Sequence, residues 1–501
     1  MRIINTNETL PGTLPAALED WIYNGLDCCV TLEVFDAIHS SLDNHTAATY
    51  NFSKALQGPA LEMRLRGVLV DTARRAEVVD EMFDNLDRLE TQLSKLVLDG
   101  LGMPTFNWRS TADLKELFYG RLRIPEIKSK GRVSVDVNAL DKLQAYLIAR
   151  PIVNHIVVMR ELGKRISVLR TSLDSDGRMR TSYNIAGTST GRFSSSSSEF
   201  GTGGNLQNVE EALRSIFIAD PGMKFAKCDA KSGESFVVGA IEWNLFNDPT
   251  YLEACESGDP HTAVARICWP HLGWTGDLKR DKDIAEQPYY RHYSYRFMCK
   301  KLGHGSNYGG QPFTLAQQSH LPISVVQQFQ PKYFDAFPAH RKWQEAVADN
   351  LIRDGYLVSL TGRKRWFMGR RNDPATLREA IAYDPQGSLA DIVNTAMLRI
   401  WESGVATIMM HDHDALTFQY PEHLEDEIIP KIMSQLVVEV PLAHGRTLRI
   451  PYDCKVGWNK GDYHPTKNPE GLKDYAPSEK RKRQARAGIL DRPLRGVHRS
   501  R

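Results

Sequence analysis

No stretch of this 501-residue sequence approaches the roughly 18 uncharged apolar residues that a membrane-crossing helix needs. The opening segment, MRIINTNETL, also lacks the apolar core of a secretion signal. Cysteine is sparse, with seven residues at 28, 29, 228, 255, 268, 299 and 454, no CxxC pair and no zinc-ligand spacing. That pattern argues against a disulfide framework or a structural zinc, and predicts reduced thiols in a cytoplasm. No repeat of about 20–50 residues points to a solenoid. Charge of one sign does not dominate either: 63 Lys and Arg stand against 61 Asp and Glu, a net charge of +2. The balance is uneven along the chain. Residues 467–501 hold eleven basic and four acidic side chains, which leaves the remainder near −5. A mildly acidic body is compatible with nucleic-acid binding, because a channel needs only a local basic lining.

The apolar content, 42%, is enough for real cores, and the length allows two to four compact units. After a loop-like start, WIYNGLDCCVTLEVFDAI reads as a helix. From about 53 to 170 the pattern is amphipathic, with apolar residues three and four apart in EVVDEMFDNLDRLETQLSKLVL and NALDKLQAYLIARPIVNHIVVMRELGKRISVL. The basic break between them, IPEIKSKGRVSVD, makes this either a projecting arm with a basic tip or an ordinary bundle. TSTGRFSSSSSEFGTGGNLQN reads as loop. KFAKCD and SFVVGAI suggest a strand running into a helix, and residues 284–303 are polar and helical. GYLVSLTGRKRWF reads as a hairpin, ATLREAIAYDPQGSLADIVNTAMLRIWES as a long helix, and ATIMMHDHDALTFQYP as two strands around a tight turn. Beyond about 465, Pro, Gly and charge, with EKRKRQAR at the centre, predict disorder.

Two carboxylates stand where apolar strands end, Asp229 in FAKCDAKSGE and Asp414 in MMHDHDALTF. Each alone is an ordinary turn residue. Together they suit phosphoryl chemistry, in which magnesium takes one or two carboxylates plus phosphate oxygens. Between them lies RFMCKKLGHGSNYGG, with Arg296, Lys300, His304 and Tyr308 every four residues. A step of four turns a helix by about 400°, so these side chains drift only about 40° per step and share one face. Such a stripe is commonly a solvated helix face. In order between two strand-end carboxylates, it suits a grip on a triphosphate beneath a base.

These three segments resemble motifs A, B and C of the family A (polymerase I-like) DNA polymerases. DAKSGE is similar to DxSxxE, RxxxKxxxHxxxYG to RxxxKxxx(F/Y)xxxYG, and HDALTF to HDELxF. TGRFSS with NLQN, LRSIFIAD, YDPQGSLADI, FNWRSTADLKELF and the arm around SKGRVSVD extend the resemblance over about 53–460, in unbroken order. It implies an α+β right-hand polymerase fold, and it favours the arm over the bundle. The implied divisions are a 3′–5′ exonuclease remnant at 1–52, a helical thumb at 53–170 and a first palm part at 171–254. Fingers at 255–385, a second palm part at 386–465 and a basic disordered tail at 466–501 complete the chain.

The resemblance further implies that Asp229 and Asp414 hold two Mg2+ ions, with the backbone carbonyl of Ala230 as an extra ligand. Arg296 and Lys300 would meet the phosphates of the incoming dNTP, Lys300 with a catalytic part. Tyr308, hydrogen-bonded to Glu234, would floor the insertion pocket, and His304 would lie beside the sugar and base. Arg192, Asn205, Gln207, Arg378, Gln386 and His413 would track the primer–template DNA, whose minor-groove acceptors are shared by all correct pairs. A bulky Glu234 crowds a ribose 2′-hydroxyl, which favours DNA synthesis over a single-subunit RNA polymerase. Intact Asp229, Asp414, Lys300 and Tyr308 speak against a non-catalytic DNA-binding scaffold.

Three departures stand out. Ala415 replaces the usual acidic residue after HD, His304 replaces Phe or Tyr, and the HDHD run allows a second register with Asp412 as ligand. Only His413-Asp414 keeps Leu416 and Phe418 in the family register. Tyr23 and Asp27 resemble YxxxD, the last proofreading motif, and only 22 residues precede Tyr23. The expectation is a phage-type replication enzyme in a bacterial or phage-infected cytoplasm, without proofreading of its own. A separately encoded exonuclease or a processivity factor would be its partner.

Overall fold

The computed structural model describes residues 15–129, 131–199 and 201–477. EKRKRQAR and the rest of 478–501 lie outside the described residues, as do 1–14. Helix α1 (Ala16–His39) contains the expected segment and leads to α2 (Asn44–Ala55) and α3 (Gln57–Arg66). The long helix α4 (Thr72–Leu101) starts where the Asp71 carboxylate accepts from the Arg74 N–H at 2.9 Å, and stops at left-handed Gly102. Its buried Leu86, Leu93 and Val97 share a core with Ile152, Ile156 and Met159 of α5 (Arg150–Leu169) and with Phe118 between them. Truncating Leu93 to Ala would cost about 2–5 kcal/mol at such a site. This separate core makes 72–169 an arm, which also carries a small hairpin, Lys128–Ser129 with Arg132–Val133. The expected second long helix is broken. Val137–Leu143 forms one helix, and α5 begins afresh because Pro151 lacks an N–H and suits only a first helical turn.

The serine run is not loop. Ser194–Ser197 is strand β2, paired antiparallel with β1 (Thr181–Asn184). Backbone pairing needs no side-chain preference, so composition alone hid it. The expected strand-to-helix unit is β3 (Met223–Ala230) followed by α6 (Gly233–Phe246), joined through left-handed Ser232. The helix expected over 284–303 is interrupted by a two-strand hairpin, Pro288–Tyr290 with Tyr293–Ser294. Helix resumes only where the Ser294 hydroxyl accepts from the Phe297 N–H at 3.1 Å. That helix runs over 295–307 and contains a π turn at Cys299–Gly303. Behind it pack α7 (Ile323–Ala336) and α8 (Pro338–Asp354). The predicted hairpin is β4 (Tyr356–Val358) and β5 (Lys364–Trp366), and the predicted long helix is α9 (Pro374–Ser403).

The predicted strand pair is β6 (Thr407–Asp412) and β7 (Ala415–Pro421), followed by α10 (Glu425–Leu436). With β8 (Tyr452–Gly457) and β9 (Lys473–Asp474) they complete a five-stranded antiparallel sheet in the order β6-β7-β3-β8-β9. Strand β9 and buried Leu472 lie inside the stretch expected to be disordered, so order persists to residue 477. Leu472 is the reason: its burial beside Phe225 ties down an otherwise polar segment. On one face of β3, Ala226, Cys228 and Ala230 pack into the large core shared with α6, α9 and α10. The alternate residues, Lys227 and Asp229, point to the other face. That face holds the site.

Candidate active site

Register brings the two carboxylates together. Asp229, the penultimate residue of β3, pairs across to Ala415 at the start of β7, one residue after Asp414. The Ala230 N–H donates to the Asp414 carbonyl at 3.0 Å, which locks the tight turn to the strand end. His413 sits in the left-handed region at φ 61°, as the turn between β6 and β7 requires. Confinement raises the pKa of both carboxyls. For Asp229 loss of hydration acts first, Lys227 opposes it, and Asp414, Asp453 and Asp412 add. For Asp414 burial acts first and Glu234 adds, while Arg192 opposes. A cation would relieve this crowding, so the donor set fits divalent metal. Among the described residues no group of three or more His, Cys, Asp or Glu gathers as a metal cluster, but magnesium needs no such cage.

Asp412 is engaged elsewhere. Its carboxylate lies 2.8–2.9 Å from the Lys460 ammonium, which is 3% exposed. Asp412 is thus neutralised by a buried cation, while Asp414 meets only the looser Arg192 contact at 3.4 Å.

Glu234, in the first turn of α6, links the sheet to the 295–307 helix. It accepts from the Tyr308 hydroxyl and from Arg192, whose guanidinium is 2.5 Å away and reaches Asp414 at 3.4 Å. Arg192 therefore bridges Glu234 and Asp414. His304 Nε2 is 3.7 Å from Glu234, and its ring stands edge-on to Tyr308 at 5.0 Å. Burial pushes the Tyr308 phenol well above its ordinary pKa, with Glu234 adding, so the hydroxyl stays a donor. Gly309, at φ 68°, ends the helix directly after Tyr308. Gly310 has no room for a side chain, since a Cβ there would meet the Gly305 carbonyl at 2.6 Å.

The other predicted residues divide. Lys300 is exposed on the same helix, whereas Arg296 is held by Asp259 at 3.2–3.3 Å and by Glu286 at 3.5 Å. The Asn205 side chain accepts from Ser195 and from the Gln207 and Asn208 N–H groups, shaping its own loop. Gln207 is buried with an unpartnered Nε2, and His413 meets Asn208 at 3.3 Å. Exposed Arg378 borders a 590 Å³ cavity with Gly309, Gly310 and Ile381, and Gln386 is half-buried farther along α9.

Sequence reasoning passed over four residues here. Asp453 on β8 pairs with Asp229 on the flank opposite Ala415, so a carboxylate stands on that side where motif C lacks one. Lys460 and Asp259 are the partners that fix Asp412 and Arg296. His261, facing Arg296, Lys300 and His304, is kept neutral by burial, with its pKa lowered to about 4. The DPHT segment legibly starts a helix, with Asp259 accepting from the Thr262 N–H, but nothing local tells which distant side chain it faces.

A five-stranded antiparallel sheet with paired carboxylates, a basic helix over them and a separate helical arm together define a right-hand polymerase fold. Residues 73–463 match the model of DNA polymerase family A, and the chain belongs to that family. It is 27% identical over 425 residues to the thermostable DNA polymerase I of Thermus aquaticus, covering 81% of this chain and 47% of that one. DNA polymerase I of Bacillus caldotenax is 26% identical over 423 residues, covering 80% of this chain and 44% of that one. The chain thus spans about half the length of the curated relatives it matches. Among solved structures, the POL domain of Pol1 from M. smegmatis, in complex with DNA primer-template and dNTP, superposes with a TM-score of 0.64. It is 22% identical, and the match covers 81% of this chain and 69% of that chain. Among the described residues no helix is long and apolar enough to cross a membrane.

Proposed function

We propose that this chain is a DNA-directed DNA polymerase that adds dNTPs to a primer 3′ end under template direction. The observation that carries the reading is the meeting of Asp229 and Asp414 beneath the helix bearing Lys300, His304 and Tyr308. Asp229 and Asp414 would hold two Mg2+ ions, with the Ala230 carbonyl as a further ligand. When bound, such ions activate the attacking 3′-hydroxyl and stabilise the leaving pyrophosphate. Lys300, exposed and without a carboxylate partner in the described structure, offsets charge on the triphosphate. Arg296 does so only after giving up part of its hold on Asp259. Tyr308 and Glu234 shape the floor of the insertion pocket, and the carboxylate crowds a ribose 2′-hydroxyl, which favours deoxynucleotides over the RNA polymerase reading.

Thumb (53–170), palm (171–254 and 386–465) and fingers (255–385) follow from the same reading, although α3 packs against β1 and β6 and so belongs beside the palm. Asn205, Gln207, Arg378, Gln386 and His413 would line the primer–template path. We read Tyr23 and Asp27, on α1, as the final signature of an exonuclease unit. On that reading a separate exonuclease or processivity factor would work beside this chain. The task would be replication of the phage type. Primer extension by the purified chain with magnesium and all four dNTPs tests the central reading. An absence of template-dependent extension would sink it.

A further inference from the structure

The core behind the 295–307 helix contains a fully buried acid–base pair that the proposed chemistry does not use. Glu242, in the third turn of α6, is 1% exposed, and its carboxyl meets Nδ1 of His340 on α8, which is 0% exposed. Burying such a pair is expensive unless further hydrogen bonds support it. His340 Nε2 lies 3.1 Å from the Tyr333 hydroxyl on α7. Tyr333 donates to Asn307 Oδ1 at 2.8 Å, and Asn307 Nδ2 donates to the Tyr251 hydroxyl at 3.0 Å. Burial pushes both phenols above their ordinary pKa, so each keeps its proton. Because Tyr333 gives that proton to Asn307, His340 Nε2 must be the donor to Tyr333. This order holds whether Glu242 or Nδ1 carries the proton they share. Burial raises the Glu242 pKa against the pull of His340, and Asp248 adds to the rise.

The chain of bonds ends at Asn307, the residue before Tyr308. The neighbouring backbone is held from the same two helices. Gln344 of α8 donates to the Ser306 and Asn307 carbonyls at 3.0 and 2.9 Å, and Gln330 of α7 donates to the Ser306 hydroxyl and the Gly310 carbonyl. Tyr308 in turn donates to Glu234, which sits on α6 eight residues before Glu242. The path is therefore a closed circuit: Glu242, His340, Tyr333, Asn307, Tyr308, Glu234, and back along roughly 12 Å of helix. A closed circuit fixes the distance between its two anchors on α6, and with it the place of the Tyr308 ring.

We propose that Glu242 and His340 are positioning residues for Tyr308, which through Tyr333 and Asn307 hold its ring against Glu234 at the floor of the nucleotide pocket. The proposal rests on the polymerase reading for what the pocket binds. Neither residue touches nucleotide or DNA. Their effect is to make the pocket ready before the nucleotide arrives, so it falls on nucleotide affinity and selection.

Two variants of the whole chain test this. Tyr333→Phe removes one hydroxyl and cuts the circuit at its middle. Glu242→Leu/His340→Phe replaces the pair with apolar side chains of similar volume, an exchange that buried ion pairs often tolerate. Each should weaken binding of the matched dNTP to a complex with a dideoxy-terminated primer by about tenfold, compared at denaturant-free conditions where the urea midpoint, lowered by the unpaired buried groups, still leaves each variant folded. Added to Tyr308→Phe, which cuts the other end, Tyr333→Phe should cost less than about threefold more, since residues of one network are not additive. Amide exchange at residues 306–310 should quicken about tenfold in Tyr333→Phe and stay constant in the arm. Unchanged affinity and unchanged exchange in both variants, or strict additivity with Tyr308→Phe, would overturn the proposal. If the wild-type chain extends no primer, the polymerase reading fails instead, and amide exchange still decides whether the circuit holds Tyr308.

Discussion

Two aspartates in one tight turn should respond in opposite ways to removal. Asp412 and Lys460 form an ion pair at 2.8 Å in which the ammonium is 3% exposed. At an effective dielectric of about 20, that separation corresponds to a gross attraction of about 6 kcal/mol. After relaxation, Asp412→Ala should cost about 3–5 kcal/mol of stability, because it leaves a buried charge without a partner. Burial already lowers the Lys460 pKa, with Asp412 opposing, so the unpaired amine can shed its proton, and the loss should be larger at low pH. Asp412→Ala/Lys460→Met should recover most of the stability, since no charge is then buried. Per folded molecule, extension by that double variant should stay within about threefold of wild type. Asp414→Ala should do the reverse. The pKa of Asp414 is raised, so folding disfavours its charge and its removal should not destabilise the chain. Extension should nonetheless fall by several orders of magnitude, as expected when a metal ligand is lost. Urea unfolding and single-turnover primer extension on the three variants separate the two roles. Loss of extension in Asp412→Ala/Lys460→Met with stability intact would mean that the register is wrong and Asp412 is the ligand.

Glu234→Ala should admit ribonucleotides by at least tenfold and slow normal insertion, because Tyr308 and Arg192 both lose their shared acceptor; an unchanged ribo-to-deoxy ratio would assign sugar selection elsewhere. His304 is 52% exposed and edge-on to Tyr308, so dideoxynucleotide acceptance should rise in His304→Tyr, whose hydroxyl reaches farther, and fall in His304→Phe. Equal incorporation ratios for the three side chains would leave His304 a packing role only. His411 is 1% exposed and its pKa is lowered to about 4 by burial, so between that value and about 6.5 only the unfolded chain takes up the proton. Stability from this group is complete above about pH 7 and should fall by about 2 kcal/mol on going to pH 5. His411→Gln should lack that slope in urea titrations, and parallel curves for both proteins would refute the assignment. Finally, the purified chain should leave a mismatched primer 3′ end intact, and degradation that copurifies with it and survives Asp27→Ala would show the N-terminal segment to be misread.

The order of chemistry along the chain was legible without coordinates. Strand-end carboxylates in FAKCDA and HDHDAL, with a four-residue stripe between them, are local patterns set by alternation and helical spacing, and β3, β6, β7 and the 295–307 helix follow them. Long amphipathic periodicity likewise marked the arm, because one helix face must find apolar cover. What sequence could not carry is pairing. Only the β3–β7 register sets Asp229 beside Asp414, and only Lys460, distant in sequence, gives Asp412 a buried cation for a partner. The serine strand β2 exists because β1 offers it a backbone edge, and the aromatic hairpin at 288–294 breaks a segment that looked helical. In each case the deciding partner lies outside any local window, and what it supplies, a backbone hydrogen bond or a buried opposite charge, leaves no periodic trace in the segment it organises.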